Sequence, residues 1–130
     1  MLKYNMFFLI LVVASYSCSP VKENDLYGTY IARYSFGTEK VSLNADGIYI
    51  QEVTIDGHPN ALGHTGRWRY EPRDRYVELE NAFDVADPAG GLKRNFDVPF
   101  GGLVLMKIRG DFPSIKLGTV YEDVDFEKIR

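Results

Sequence analysis

The sequence predicts an all-β domain, an antiparallel meander that closes into a small up-and-down barrel or folds into a sandwich. Three observations carry this reading. Short segments alternate apolar and polar residues with period two, and clusters of Gly, Pro, Asn and Asp separate them. Nine tyrosines and eight phenylalanines supply side chains that favour strands. Beyond the first eighteen residues, no segment carries the apolar spacing of a helix.

Those first residues stand apart. Lys3 provides a positive charge, Met6 to Ala14 is an unbroken apolar run, and Ser15-Tyr16-Ser17 leads to Cys18. This is the three-part layout of a secretory signal helix. The run is too short to cross a hydrocarbon core, which needs about 20 helical residues. Cys18 is the only cysteine and lies at the boundary. The leader resembles that of a bacterial lipoprotein, in which the cysteine after the cut carries the lipid. Ser17 fits that pattern, whereas Ser15 stands where the family normally has Leu, and Tyr16 is bulky for its place. Small residues at 15 and 17 also suit an ordinary signal peptidase, which cuts the same bond. A lone unpaired thiol at an exported N-terminus has no other evident purpose, and this decides for acylation. The resemblance implies a signal peptide over 1–17 and a lipidated Cys18, with palmitate among its acyl chains. With Ser19 rather than Asp following, it also implies an outer-membrane lipoprotein facing the periplasm. Each buried methylene contributes about 0.8 kcal/mol, so several chains hold a protein firmly.

The remainder suffices for one domain with one core. Residues 18–25 read as the lipidated Cys and a short polar tether, and 26–130 as a single β domain. With one cysteine there is no internal disulfide, so stability comes from packing. The chain carries a net charge of −3, and losing Lys3 with the leader makes it more acidic. That balance argues against nucleic-acid binding.

The strands follow in order. Tyr30, Ala32 and Tyr34 alternate with Ile31 and Arg33 in the first. Its opening, Leu26-Tyr27-Gly28-Thr29-Tyr30, resembles the Leu-x-Gly-x-Trp entry of lipocalin-like domains, with Tyr30 where their tryptophan stands. Apart from that likeness, Gly28 permits a tight strand entry. Glu39–Leu43 is the second strand, with Val41 and Leu43 inward. Asn44-Ala45-Asp46-Gly47 is a hairpin turn, and Ile48–Ile55 returns from it. An EF-hand is rejected there, because Ser42 and Val53 occupy the positions that need acidic ligands. Asp46-Gly47-Ile48-Tyr49 resembles a motif of small exported lipoproteins of unassigned function. His58 to His64 reads as a loop carrying both histidines, solvated and not metal-bound. Thr65–Tyr70 is the clearest strand, with Trp68 in the core and Arg67 and Arg69 outside. Arg75–Phe83 follows, with Val77 and Leu79 inward and Glu78 and Glu80 outward. The two glutamates lie on a polar face beside arginines, which favours solvated charge over a glycosidase pair. Residues 84–102 break the pattern with Pro88, Gly90-Gly91, Pro99 and Gly101-Gly102. Leu103–Arg109 resumes it, with Val104, Met106 and Ile108 inward, and Ile115–Tyr121 and Val124–Ile129 complete the chain.

No GxSxG, HExxH or phosphate-loop spacing is present, and neither histidine has an evident catalytic neighbour. The expectation is a non-enzyme without cofactor or metal. It is an envelope lipoprotein that meets the membrane through its N-terminal lipid and binds a small apolar ligand or a partner protein. The alternative is a structural or assembly accessory without ligand. Two candidate surfaces are drawn. The first is Lys93, Arg94, Phe96 and Phe100, where cations adjoin aromatics in a long loop of the kind that binds or covers a site, unless both phenylalanines plug the core and the glycines merely make turns. The second is the Arg67/Arg69 face, an anion-facing patch unless it simply pairs with Glu78 and Glu80 across the hairpin. An interior filled by Trp68, Tyr30 and phenylalanines leaves no room for a ligand, so the state of the lumen separates the readings.

Overall fold

The computed structural model describes residues 20–83, 85, 103–119 and 124–129. The leader, Cys18, Lys93, Arg94, Phe96 and Phe100 lie outside these. After a 3-10 helix, Glu23–Leu26, come eight strands: β1 Gly28–Tyr34, β2 Gly37–Leu43, β3 Ile48–Ile55, β4 Leu62–Glu71, β5 Tyr76–Glu80, β6 Leu103–Arg109, β7 Lys116–Thr119 and β8 Asp125–Ile129. Each pairs antiparallel with its sequence neighbours, and β8 returns to β1, so the meander is a closed barrel and not a sandwich. Closure removes the unpaired edges that an open sheet of this composition would expose.

Alternation builds the lumen. Tyr30 and Ala32, Val41 and Leu43, Tyr49 and Val53, Val77 and Leu79, Met106 and Ile108, then Leu117 and Phe126 all point inward and are buried. Trp68 joins them from β4, its Nε1 donating to Asn44 O at 2.9 Å and its ring meeting Tyr27 edge-on. The β2–β3 turn forms at Asn44–Gly47 as its composition requires. Gly47 takes a φ of +80°, and Asp46 Oδ1 accepts from Ile48 N.

The two ends of the barrel differ. At the lower end the chain enters through a plug. Val21 and Leu26 are buried, Tyr70 OH donates to Val21 O at 2.7 Å, and Tyr30 OH donates to Leu26 O at 2.8 Å. The polar stretch read as a tether is therefore part of the fold from Val21 onward. Gly28 follows at φ +137°, a conformation that disfavours any side chain, and a Cβ there would meet Lys128 Cε at 2.7 Å. Lys128 Nζ caps the helix by donating to Asp25 O. The β2–β3, β4–β5 and β6–β7 turns share this end, while the β1–β2 and β3–β4 turns lie at the upper end, the mouth, together with the end of β5, the start of β6, the end of β7 and the start of β8.

Strand boundaries move from the sequence reading: β2 already begins at Gly37 and not at Glu39, and two further shifts shape the mouth. β4 begins at Leu62, so His64 lies on a strand opposite Gln51 and not in a loop. The alternation simply continues backward from Trp68 through Gly66 and His64 to Leu62. β5 stops at Glu80, because Asn81 takes φ +54° and turns the chain inward, burying Ala82 and Phe83.

Candidate binding site at the barrel mouth

The mouth is organised by two polar side chains that alternation sends into the core. Glu39 on β2 and Gln51 on β3 are the buried polar residues among those described, Glu39 at 5% exposure. Glu39 Oε2 accepts from Tyr34 OH at 2.7 Å, and Oε1 accepts from Gln51 Nε2 at 2.6 Å. Gln51 then grips a backbone. Its Nε2 also donates to Phe83 O at 2.9 Å, and its Oε1 accepts from Phe83 N at 2.8 Å. The carboxamide thus takes the place of a neighbouring peptide group and ties the segment after β5 across the lumen.

That segment closes the mouth with apolar surface. Phe83 and Val85 pack with Val53, and Tyr34, Phe36, Ile55 and Leu62 surround them. Tyr34 and Phe36 stack with centroids 4.9 Å apart. His64 lies beneath, its ring 5.3 Å from Phe83 and 6.0 Å from Tyr49. Its Nε2 is buried without a hydrogen-bond partner among the described residues. Tyr49 passes over Gly66, where a Cβ would fall 2.6 Å from the ring, and donates to Glu80 O at 2.5 Å. Burial pushes the Tyr49 hydroxyl up to about 12, and the Glu80 carboxylate adds to the shift.

Within the mouth, Glu39, Gln51, Phe83, Met106 and Phe126 line a cavity of about 20 Å³. This is room for roughly one water, against about 300–1,000 Å³ for small-molecule pockets in general. Among the described residues no three His, Cys, Asp or Glu side chains gather as metal ligands.

Arg67 and Arg69 stand elsewhere, exposed on the outer wall of the lower half of β4. Arg69 faces Glu78 in register and donates to its Oε2 from Nε at 3.0 Å and Nη2 at 2.8 Å. Arg67 lies opposite Ile48. The pair therefore belongs to the wall and does not meet the mouth. The segment bearing Lys93, Arg94, Phe96 and Phe100 lies outside the described residues, but its flanks, Val85 and Leu103, are both at the mouth end. Sequence reasoning missed Glu39, Gln51 and His64. The available signal was parity: Glu39 shares the inward parity of Val41, Gln51 that of Val53, and His64 that of Trp68.

No family model, curated protein or solved structure matches the chain.

Proposed function

We propose that the protein is an exported, lipid-anchored envelope protein without enzymatic activity, and that it recognises a partner protein at the mouth of a filled barrel. The supporting observation is the lumen. Among the described residues, Tyr30, Tyr49, Trp68 and Phe126 are buried in it, and the cavity that the described residues leave at the mouth takes about one water. Such an interior suits a rigid scaffold better than a carrier of apolar ligands. The mouth holds Phe36 and Leu62 half-buried, and Val85 and Leu103, which flank the sequence stretch carrying Lys93, Arg94, Phe96 and Phe100, lie at that end. Tyr34 and Phe36 stack there, and grouped aromatic residues are characteristic of protein-binding surfaces. The anchoring half of the reading rests on the leader and Cys18.

Photo-crosslinking in intact envelopes tests the recognition. A crosslinker at Phe36 or Asn60, at the mouth, is expected to yield one adduct of defined mass, and the same group at Lys107 on the wall none. Saturable one-to-one binding of a fluorescent fatty acid by the purified protein would overturn this in favour of a ligand carrier. For the anchor, Cys18→Ala should move the protein from the membrane to the soluble fraction, and an unchanged distribution contradicts lipidation.

A further inference from the structure

We infer that the lower end of the barrel lies on the lipid surface, with the Phe112 turn as its point of contact. The inference rests on the anchoring reading above and goes beyond it, because lipidation alone leaves the orientation open. Three peptide units separate Cys18 from Val21, and an extended chain spans at most about 3.6 Å per residue. Val21 is not part of a tether: it is buried, and its carbonyl accepts from Tyr70 OH. The lipid attachment point is therefore within about 11 Å of a fixed point in the core of the lower end. A barrel held so closely at one end stands on that end, and the mouth points away from the membrane.

What the lower end presents fits this placement. Phe112 is the most exposed of the large apolar side chains described, at 64%, and it sits at the tip of the β6–β7 turn. The turn is braced. Ser114 N donates to Asp111 O at 2.8 Å, and Arg75 Nη2 donates to Gly110 O at 3.0 Å from the adjacent β4–β5 turn. Pro20, Ala45, Pro72 and Pro113 are exposed on the same end. The charges there are mixed: Lys22, Arg73 and Arg75 stand among Glu23, Asp46, Asp74 and Asp111. Among the described residues there is thus no basic patch to select anionic headgroups, and the contact is an apolar one that zwitterionic lipid satisfies. Phe is among the apolar side chains that bury at the boundary between headgroups and acyl chains.

The test places tryptophan reporters at opposite ends, Phe112→Trp and Asn60→Trp, and reads the emission each adds to that of buried Trp68. The protein is purified from envelopes and reconstituted in phosphatidylcholine vesicles with and without brominated acyl chains. In parallel, the chain from Cys18 onward, which includes every described residue, is coupled through the Cys18 thiol to a maleimide lipid in the same vesicles. The expected result in both arms is blue-shifted emission at position 112, lost in brominated vesicles, with water-like unquenched emission at 60. Water-like, unquenched emission at 112 in the coupled arm overturns the inference. So does a blue shift at 112 that follows protein concentration without vesicles, since a second copy then covers the turn. The mass of the envelope-derived N-terminus separates the two readings. An unacylated Cys18 removes the anchor, while the coupled arm still decides the orientation.

Discussion

Gln51 does the work of a strand at the scale of one residue. The chain after β5 leaves the sheet, and its Phe83 N–H and C=O need partners in a place where water is scarce. The Gln51 carboxamide satisfies both and still donates to Glu39. Gln51→Leu keeps the volume and removes every one of these bonds. Each buried group left unpaired costs about 1–3 kcal/mol. The variant is expected to be clearly less stable in urea unfolding, with the mouth segment newly open to proteolysis. Stability equal to the parent contradicts the tie. Tyrosines give a second prediction at this scale. Burial raises Tyr30 and Tyr49, Tyr49 to about 12, with Asp25 and Glu80 adding to the respective shifts. In the unfolded chain both ionise near the ordinary value of about 10. Folding therefore retains two protons that the unfolded chain releases. The stability linked to them is fully present below that ordinary value and is lost as pH rises through the folded values. The slope reaches about 1.4 kcal/mol per pH unit for each tyrosine. Denaturant unfolding between pH 9 and pH 12 should show this decline, and tyrosinate absorbance from these two should appear only with unfolding. Full tyrosinate absorbance near the ordinary pKa with the fold intact contradicts it.

Single elements show what the sequence could and could not disclose. The plug Val21–Leu26 is polar over most of its length and has no strand period, so it reads as a tether. Only Val21 and Leu26 carry its packing. Leu26→Ala is expected to cost about 2–5 kcal/mol, as for other buried leucines. Ile50→Ala, on the outer wall, should stay within about 0.5 kcal/mol. Thermal unfolding of the two variants compares them, and equal melting temperatures contradict a plug. Strands with an apolar inward face were legible. Leu103–Arg109 was read with its inward residues as they stand, and Trp68 was placed in the core by its two flanking arginines. Period-two reasoning fails where an inward position carries a polar side chain. Glu39, Gln51 and His64 all share the parity of buried neighbours, yet their chemistry reads as surface or turn. The end of β5 was hidden for another reason, since Asn81 bends the chain after an unbroken alternation. The mouth is made of those same residues, so the site was less legible than the fold that holds it.

At the scale of the whole molecule, closure is the property that depends most on few residues. β1 pairs with β2 along its full length, Gly28–Tyr34, and β2 with β3 over Gly37–Leu43. On its other side β1 meets β8 over Thr29–Ile31, and β8 meets β7 over Lys116–Gly118, among the described residues. Among the described residues, ion pairs join β8 to its neighbours at Arg109–Asp125, 2.9 Å, and Lys116–Glu127, 3.5 Å. Both are substantially exposed, and such pairs contribute little. Arg109 lies flat over Gly118 to reach Asp125, and a side chain at 118 would displace it. What holds β8 is chiefly Phe126 in the core and Lys128 on the Asp25 carbonyl. Lys128 links the seam to the plug, so the last strand and the first turn should loosen together. Native-state hydrogen exchange is the direct measurement. Amides of Phe126–Lys128 and of Leu26 are expected to open at a shared free energy below that of Val41 and Val53. Substituting Lys128→Met, which keeps the stem and loses the donor, should speed exchange at Leu26 while leaving β2 and β3 unchanged. If Phe126–Lys128 exchange only with the slowest amides of β2 and β3, the barrel opens as one unit and the seam is no weaker than the rest.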